Sequence, residues 1–261
     1  MLLENKTAVI YGAAGAVGGA IAQAFARNGA NVYLAGRTRA TLERVAASIG
    51  ARDGKVQVAP VDASDAAAVD DHVERIVQQA GRLDISCNVV GIDDVQGTAL
   101  TDIEPLLFLQ PISVAMRTHL LTTTAAARRM SPRGCGVLLT VTAQAGRKPY
   151  ANTGGFGVAC AALEALYRQL AAELGPAGVR VGCVRSAGSP DAPGVDEVFR
   201  RHAANAGISR EAFEASIAER TLLGRLPRLA DVAGAASVFA SDHARAMTAT
   251  ILNATCGELA D

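Results

Sequence analysis

Thr7-Ala8-Val9-Ile10-Tyr11-Gly12-Ala13-Ala14-Gly15-Ala16-Val17-Gly18-Gly19 is a short uncharged run of apolar and β-branched residues that breaks into glycines. The run reads as a parallel strand buried on both faces. From Gly18 to Asn28 the apolar residues recur at helical spacing. Glycines between a strand and a helix let the backbone turn sharply and approach a pyrophosphate, whose charge the amides at the helix N-terminus then hold. Gly12, Gly15, Val17 and Gly18 are therefore candidate dinucleotide-binding residues.

Outward from that loop, strand and helix patterns alternate. Candidate strands are Thr7 to Tyr11, Asn31 to Ala35, Lys55 to Ala59, Ile85 to Val90, Gly136 to Val141, Val179 to Val184 and Thr250 to Asn253. Between them the helical segments run Gly18 to Asn28, Ala40 to Ile49, Ala66 to Gln79, Ser113 to Met130, Gly155 to Leu174 and Asp231 to Ala240. Such alternation predicts an α/β fold: a single Rossmann-type, doubly wound parallel sheet flanked by helices on both faces. Residues 1–261 are expected to form one domain. The segment from Ser189 to Arg228 breaks the pattern with Pro190, Pro193 and Gly194, then two short amphipathic stretches, Asp196 to Ala206 and Ser209 to Glu219. It reads as a lid-like insertion.

The balance of 25 basic and 25 acidic residues argues against nucleic acid or an acidic membrane surface as partner, which leaves small molecules and other subunits. No apolar run reaches the ~18 residues of a membrane span, and the first is broken by glycines too early for a signal peptide, so a cytoplasmic protein is expected. The five cysteines, Cys87, Cys135, Cys160, Cys183 and Cys256, are odd in number and without Cys-x-x-Cys spacing. They suggest neither a disulfide framework nor a zinc site. The histidines, His72, His119, His202 and His243, share no ligand spacing, and no metal is expected.

The second strand ends Ala35-Gly36-Arg37-Thr38-Arg39. A carboxylate there would bind the adenine ribose of NAD; guanidinium groups and a hydroxyl suit a 2′-phosphate instead. NADP is expected in preference to NAD. With these residues in view, nearly the whole chain resembles the short-chain dehydrogenase/reductase family. Its Thr-Gly-x-x-x-Gly-x-Gly loop is met by Gly12 and Gly18, with Tyr11 for the threonine, Ala16 for the middle glycine and Gly15 one place early. Val61-Asp62-Ala63 resembles the Asp-Val pair that contacts adenine, and Asn88-Val89-Val90-Gly91 resembles Asn-Asn-Ala-Gly. The resemblance implies a homo-oligomer, a tetramer or dimer, packed through the Ser113 to Met130 and Gly155 to Leu174 helices, where Ala161, Ala162 and Ala165 suit close approach.

Family members work with asparagine, serine, tyrosine and lysine, the last two as Tyr-x-x-x-Lys. Here that stretch reads Phe156-Gly157-Val158-Ala159-Cys160. Thirteen residues before Phe156 the serine position holds Ala143, and the asparagine position holds Ala115. Phenylalanine carries no proton, and a neutral thiol is no substitute for an ammonium on a long stem. The catalytic residues are thus unknown, and standard proton transfer is expected to be absent. Ala143, Gln144, Tyr150, Phe156 and Cys160 are the expected pocket residues, with Tyr150 or Thr142 as candidate replacements and Cys160 reading as a buried thiol. Three classes of function stay open: an atypical NADP-linked oxidoreductase, a non-redox enzyme such as a cyclase, dehydratase or isomerase, and a catalytically silent nucleotide-binding or scaffold protein.

Overall fold

A computed structural model describes residues 1–50 and 55–260. Seven parallel strands form one sheet: β1 (Thr7–Tyr11), β2 (Asn31–Gly36), β3 (Val56–Pro60), β4 (Ile85–Asn88), β5 (Gly136–Ala143), β6 (Val179–Ser186) and β7 (Thr250–Ala254), in the spatial order β3-β2-β1-β4-β5-β6-β7. Every residue of β1 is buried, which is why this central strand has no polar alternation. Tyr11 stands opposite both Ala35 of β2 and Asn88 of β4. The order of connection reverses between β1 and β4, so a crevice opens there at the carboxyl ends of the strands.

One face of the sheet is covered by α1 (Ala16–Arg27), α2 (Arg39–Ser48) and α8 (Leu229–Ala240), whose Ile21, Phe25, Leu42 and Phe239 join Ile10 and Leu34 in a core. The other face is covered by α3 (Ala66–Ala80), α4 (Pro105–Met130) and α5 (Phe156–Leu174), through Val73, Ile76, Met130, Tyr167 and Leu170. Local chemistry sets the helix ends. The Asp65 carboxylate accepts from the amides of Ala67 and Ala68 at the start of α3, and Gly81 closes it with a left-handed turn. The inserted segment forms α6 (Pro193–Ala206) and α7 (Arg210–Ala218), with a small core of Ala187, Phe199, Ile217 and Leu226.

Most boundaries shift by one to three residues, and the largest difference is at α4. α4 begins at Pro105 rather than Ser113 and runs through Pro111. A proline inside a helix forfeits one hydrogen bond. The helix continues because Pro111 is buried against the start of α5: a Cβ on Gly155 would lie 2.1 Å from the Phe108 carbonyl oxygen and 2.9 Å from Pro111 Cγ. Gly155→Ala should therefore force α4 and α5 apart and cost about 1–3 kcal/mol, to be read by urea denaturation.

Candidate active site

At the crevice, Gly12 adopts φ +79°, and a Cβ there would lie 2.4 Å from the Val89 carbonyl oxygen. A Cβ on Gly18 would lie 2.3 Å from the Gly12 carbonyl oxygen, so the loop folds back on the first turn of α1 and tolerates only glycine at both points. Gly15 is different: its Cβ would meet nothing nearer than 3.4 Å. Gly15 caps α1 without a side-chain hydrogen bond, and the first turn, which includes Val17, holds no acid. Its amides are therefore presented to an anion together with the positive end of the helix dipole.

Beside this end, the Gly12 amide donates to the Ala35 carbonyl at 3.0 Å and the Val61 amide to Gly36 at 2.9 Å, which brings Arg37 and Asp62 together across the strand ends. Arg37 and Thr38 are exposed, and Arg37 makes no hydrogen bond or ion pair among the described residues. Asp62 accepts from the Ser64 amide and hydroxyl, and these bonds, with Arg37 and Arg117 nearby, hold its carboxyl below the usual range. Ala63 is buried. Asn88 turns inward: its side chain donates to Thr122 Oγ1 at 2.9 Å and accepts from the Val90 amide at 2.9 Å, fixing the turn that leads to exposed Gly91. A cradle of this shape and charge fits a dinucleotide phosphate: the α1 amides would hold the pyrophosphate, Arg37 and Thr38 would meet the ribose end, and the bound group would supply or accept hydride.

Phe156, Cys160 and Glu164 follow one another by a helical turn along α5. The Cys160 thiol is buried against the backbone of Ala143, and burial pushes it up to about 12, well away from a reactive thiolate. One turn deeper, Glu164 takes a bidentate pair from Arg185 of β6, Nε to Oε1 at 2.9 Å and Nη2 to Oε2 at 2.7 Å, while Thr142 Oγ1 donates to Oε1 at 3.0 Å. Both charged side chains are buried. Thr142 thus serves this ion pair.

Tyr150 is also committed. Its hydroxyl donates to Glu258 Oε1 at 2.6 Å, and Lys148 Nζ reaches the same oxygen at 3.0 Å. Burial first, then the bond to Glu258, raises the phenol's pKa. A phenol and an ammonium do converge, yet on the C-terminal segment. Buried Gln144 lies beside both Tyr150 and Glu258, with its own Oε1 unpartnered among the described residues. Cys160 lies against Ala143 at the β5–α5 junction, with Phe156 one turn along the helix, whereas Gln144 and Tyr150 belong to this second cluster.

The loop after β4 lies over the start of α5. Ile92 packs with Ala115, Ala159 and Leu163; the Gly97 amide donates to the Asn152 carbonyl at 2.8 Å; and a Cβ on Gly154 would sit 2.5 Å from the Val95 carbonyl oxygen. From above, Asn205 Nδ2 of α6 donates to Gly97 O at 2.9 Å and His202 Nε2 meets Gln96 Oε1 at 3.0 Å. Gln96 in turn donates to Asp94. Burial, and the neighbouring Asp93, raise the Asp94 carboxyl above its usual range against the opposing pull of Gln96 and Arg201. Asp94 thus lies on a loop anchored over the start of α5, between Ile92, which packs beside Ala159, and Val95, which presses on Gly154.

No His, Cys, Asp and Glu group suited to a metal ion occurs among the described residues. His119 pairs with the Tyr167 hydroxyl at 3.0 Å and burial lowers it to about 3, so it is a neutral core residue. The Glu164–Arg185 pair, Glu258 and Asp94 were not singled out from the sequence. Asp93-Asp94, directly after the crevice turn that ends at Gly91, was the one legible signal; the other three residues meet only through tertiary folding.

A seven-stranded parallel sheet with a glycine loop and an uncapped helix at the switch point defines a Rossmann-type dinucleotide-binding fold. The family model described as enoyl-(acyl carrier protein) reductase matches residues 12–258, and the chain belongs to that family, within the short-chain dehydrogenase/reductase superfamily of oxidoreductases. An uncharacterized oxidoreductase of Methylorubrum extorquens is 32% identical over 260 residues, covering 98% of both chains. Among solved structures, an NAD+-bound xylitol dehydrogenase superposes with a TM-score of 0.91 at 19% identity, over 98% of this chain and 100% of that one. A 3-ketoacyl-(acyl-carrier-protein) reductase from Brucella melitensis, complexed with NADH, has a TM-score of 0.83 at 28% identity, over 98% and 99%. No helix among the described residues is long and apolar enough to cross a membrane.

Proposed function

We propose that this protein is an atypical NADP(H)-linked oxidoreductase of a small carbonyl or alcohol substrate, working without the family's asparagine, serine, tyrosine and lysine. The observation that carries the reading is the contrast between the two ends of the crevice. The cradle end keeps its glycines, its uncapped helix and an exposed guanidinium at Arg37. The reacting end offers Ala143, Phe156 and a buried neutral thiol. Arg37 and Thr38 favour a 2′-phosphate because a guanidinium binds phosphate bidentately and no acid follows β2 to bind a ribose diol.

Titration of NADPH and NADH, followed by nucleotide fluorescence, tests the cofactor. NADPH should bind more tightly, and Arg37→Ala should weaken NADPH by about tenfold, the value of one charge-assisted contact, while leaving NADH unchanged. Equal affinity for the two nucleotides would refute the preference. The protein is read as one domain, cytoplasmic and homo-oligomeric. Leu109 and Leu120 of α4 and Val158 of α5 are exposed apolar side chains on the two helices expected to meet their copies. Sedimentation at equilibrium gives the subunit number.

A further inference from the structure

A reductase without the family tyrosine still has to protonate the oxygen of the carbonyl it reduces, and the titratable groups near the reacting end can be taken in turn. Cys160 is held neutral by burial and its sulfur lies against the Ala143 backbone. The Tyr150 hydroxyl is spent on Glu258 and the Thr142 hydroxyl on Glu164. Glu164 itself is locked in its pair with Arg185 below the pocket. Two acids are left on the loop anchored over the start of α5; Asp93 is exposed and Asp94 is half-buried.

We propose that the Asp94 carboxyl is the proton donor to the substrate's carbonyl oxygen, and that Gln96 and His202 are its positioning residues. This rests on the oxidoreductase reading above. Three anchors hold the loop in place: Ile92 in the α4–α5 contact, the Gly97 amide on Asn152, and Val95 pressed against Gly154. Between these anchors Asp94 is held over the start of α5. His202 Nε2 donates to Gln96 Oε1, which turns the Gln96 amide so that its NH2 donates to the carboxylate. His202 belongs to α6, where its ring stacks on Phe213 of α7 at 5.9 Å between centroids, so the lid-like insertion fixes the acid. Asp93 adjoins Asp94 and disfavours its charged form, while Gln96 and, from α6, Arg201 favour it. A donor needs its proton at neutral pH, and a half-buried carboxyl beside a second one moves in that direction.

A reduced nicotinamide dinucleotide, when bound, would supply hydride to the carbonyl carbon. The Asp94 O–H bond breaks, a new O–H bond forms on the former carbonyl oxygen, and Asp94 is left as carboxylate until water reprotonates it. Oxidation runs the same transfer backwards, the carboxylate taking the alcohol proton. The exposed Asp93 carboxylate beside the donor disfavours an anionic substrate, so a neutral ketone or aldehyde is the class implied.

The test uses the full chain with NADPH and the activated ketone 2,2,2-trifluoroacetophenone, beside a carbon-13 carboxyl NMR titration of the protein alone. Asp94 is expected to titrate above the ordinary carboxylate range, and Gln96→Leu should raise it further by removing a donor to the charged form. The reduction rate should fall as pH rises through that same value, because the proton-bearing form is lost. Asp94→Asn keeps the shape and an acceptor for Gln96. It should lower kcat by about 10²–10⁴-fold, abolish that pH limb and leave NADPH affinity unchanged. Wild-type kcat and pH profile in Asp94→Asn, or an ordinary carboxylate titration, would overturn the assignment of Asp94 alone. Absence of NADPH binding or of any reduction by the wild type overturns the oxidoreductase reading and this proposal with it.

Discussion

Arg185→Met alone is expected to destabilise the fold by about 3–5 kcal/mol, and Glu164→Leu combined with Arg185→Met to return it to within about 1 kcal/mol of the wild type. The single change strands a carboxylate that is almost fully buried and was held by two short bonds from one guanidinium. The Thr142 hydroxyl at 3.0 Å stays, but one neutral donor does not replace a paired cation. Removing both charges strands no ion and leaves only the Thr142 hydroxyl without its acceptor, a cost of about 1 kcal/mol. Chemical denaturation of the four proteins closes a double-mutant cycle whose coupling term is the quantity of interest. Equal, additive losses would mean the pair is weak and that Arg185 and Glu164 act through packing alone. A large coupling would mark the pair as the rigid floor on which the reacting end stands, because Cys160 and Phe156 sit one and two helical turns up the same face.

That floor could not be read from the chain, whereas most of the scaffold could. The apolar run Thr7 to Tyr11 followed by glycines carries its meaning locally, because a buried parallel strand and a tight turn each need a particular residue type at each place. The seven strands and the helices between them follow from period and punctuation, and they occur where those signals lie. The first turns of α4 were not legible: the helix runs through Pro111, where tertiary packing, with Gly155 supplying the space, offsets the lost hydrogen bond. Site residues divide the same way. Gly12 and Gly18 are legible because the loop's own backbone demands them. Tyr150 looked available in the sequence because its partner, Glu258, lies 108 residues away. His202 and Gln96, 106 residues apart, are likewise joined only by the folded insertion.

Restoring the family's groups is the change with the largest expected gain. Ala143→Ser, Phe156→Tyr and Cys160→Lys together should raise NADPH-dependent reduction of an unactivated ketone, cyclohexanone, by about 10²–10⁴-fold over a wild-type rate near background. Each change alone should do almost nothing, because a phenol with its ordinary pKa is a poor donor until a cation and a hydroxyl share the site with it. Geometry favours two of the three. Phe156 is only half-buried at the first turn of α5, so a hydroxyl at its ring tip is not forced into the core, and Ala143 ends β5 with room at its side chain. Position 160 is the harder one. The thiol there is buried against the Ala143 backbone, so a lysine stem has to leave toward the crevice, where the dinucleotide ribose is expected, with Arg185 one turn below repelling any other course. Overpacking at that point should cost about 1–3 kcal/mol, which a parallel denaturation curve would record and separate from any failure to fold. A triple variant that folds, binds NADPH and still leaves cyclohexanone untouched would place the barrier elsewhere, in substrate access beneath α6. A wild-type protein that already reduces cyclohexanone fast would show that the missing groups were never needed.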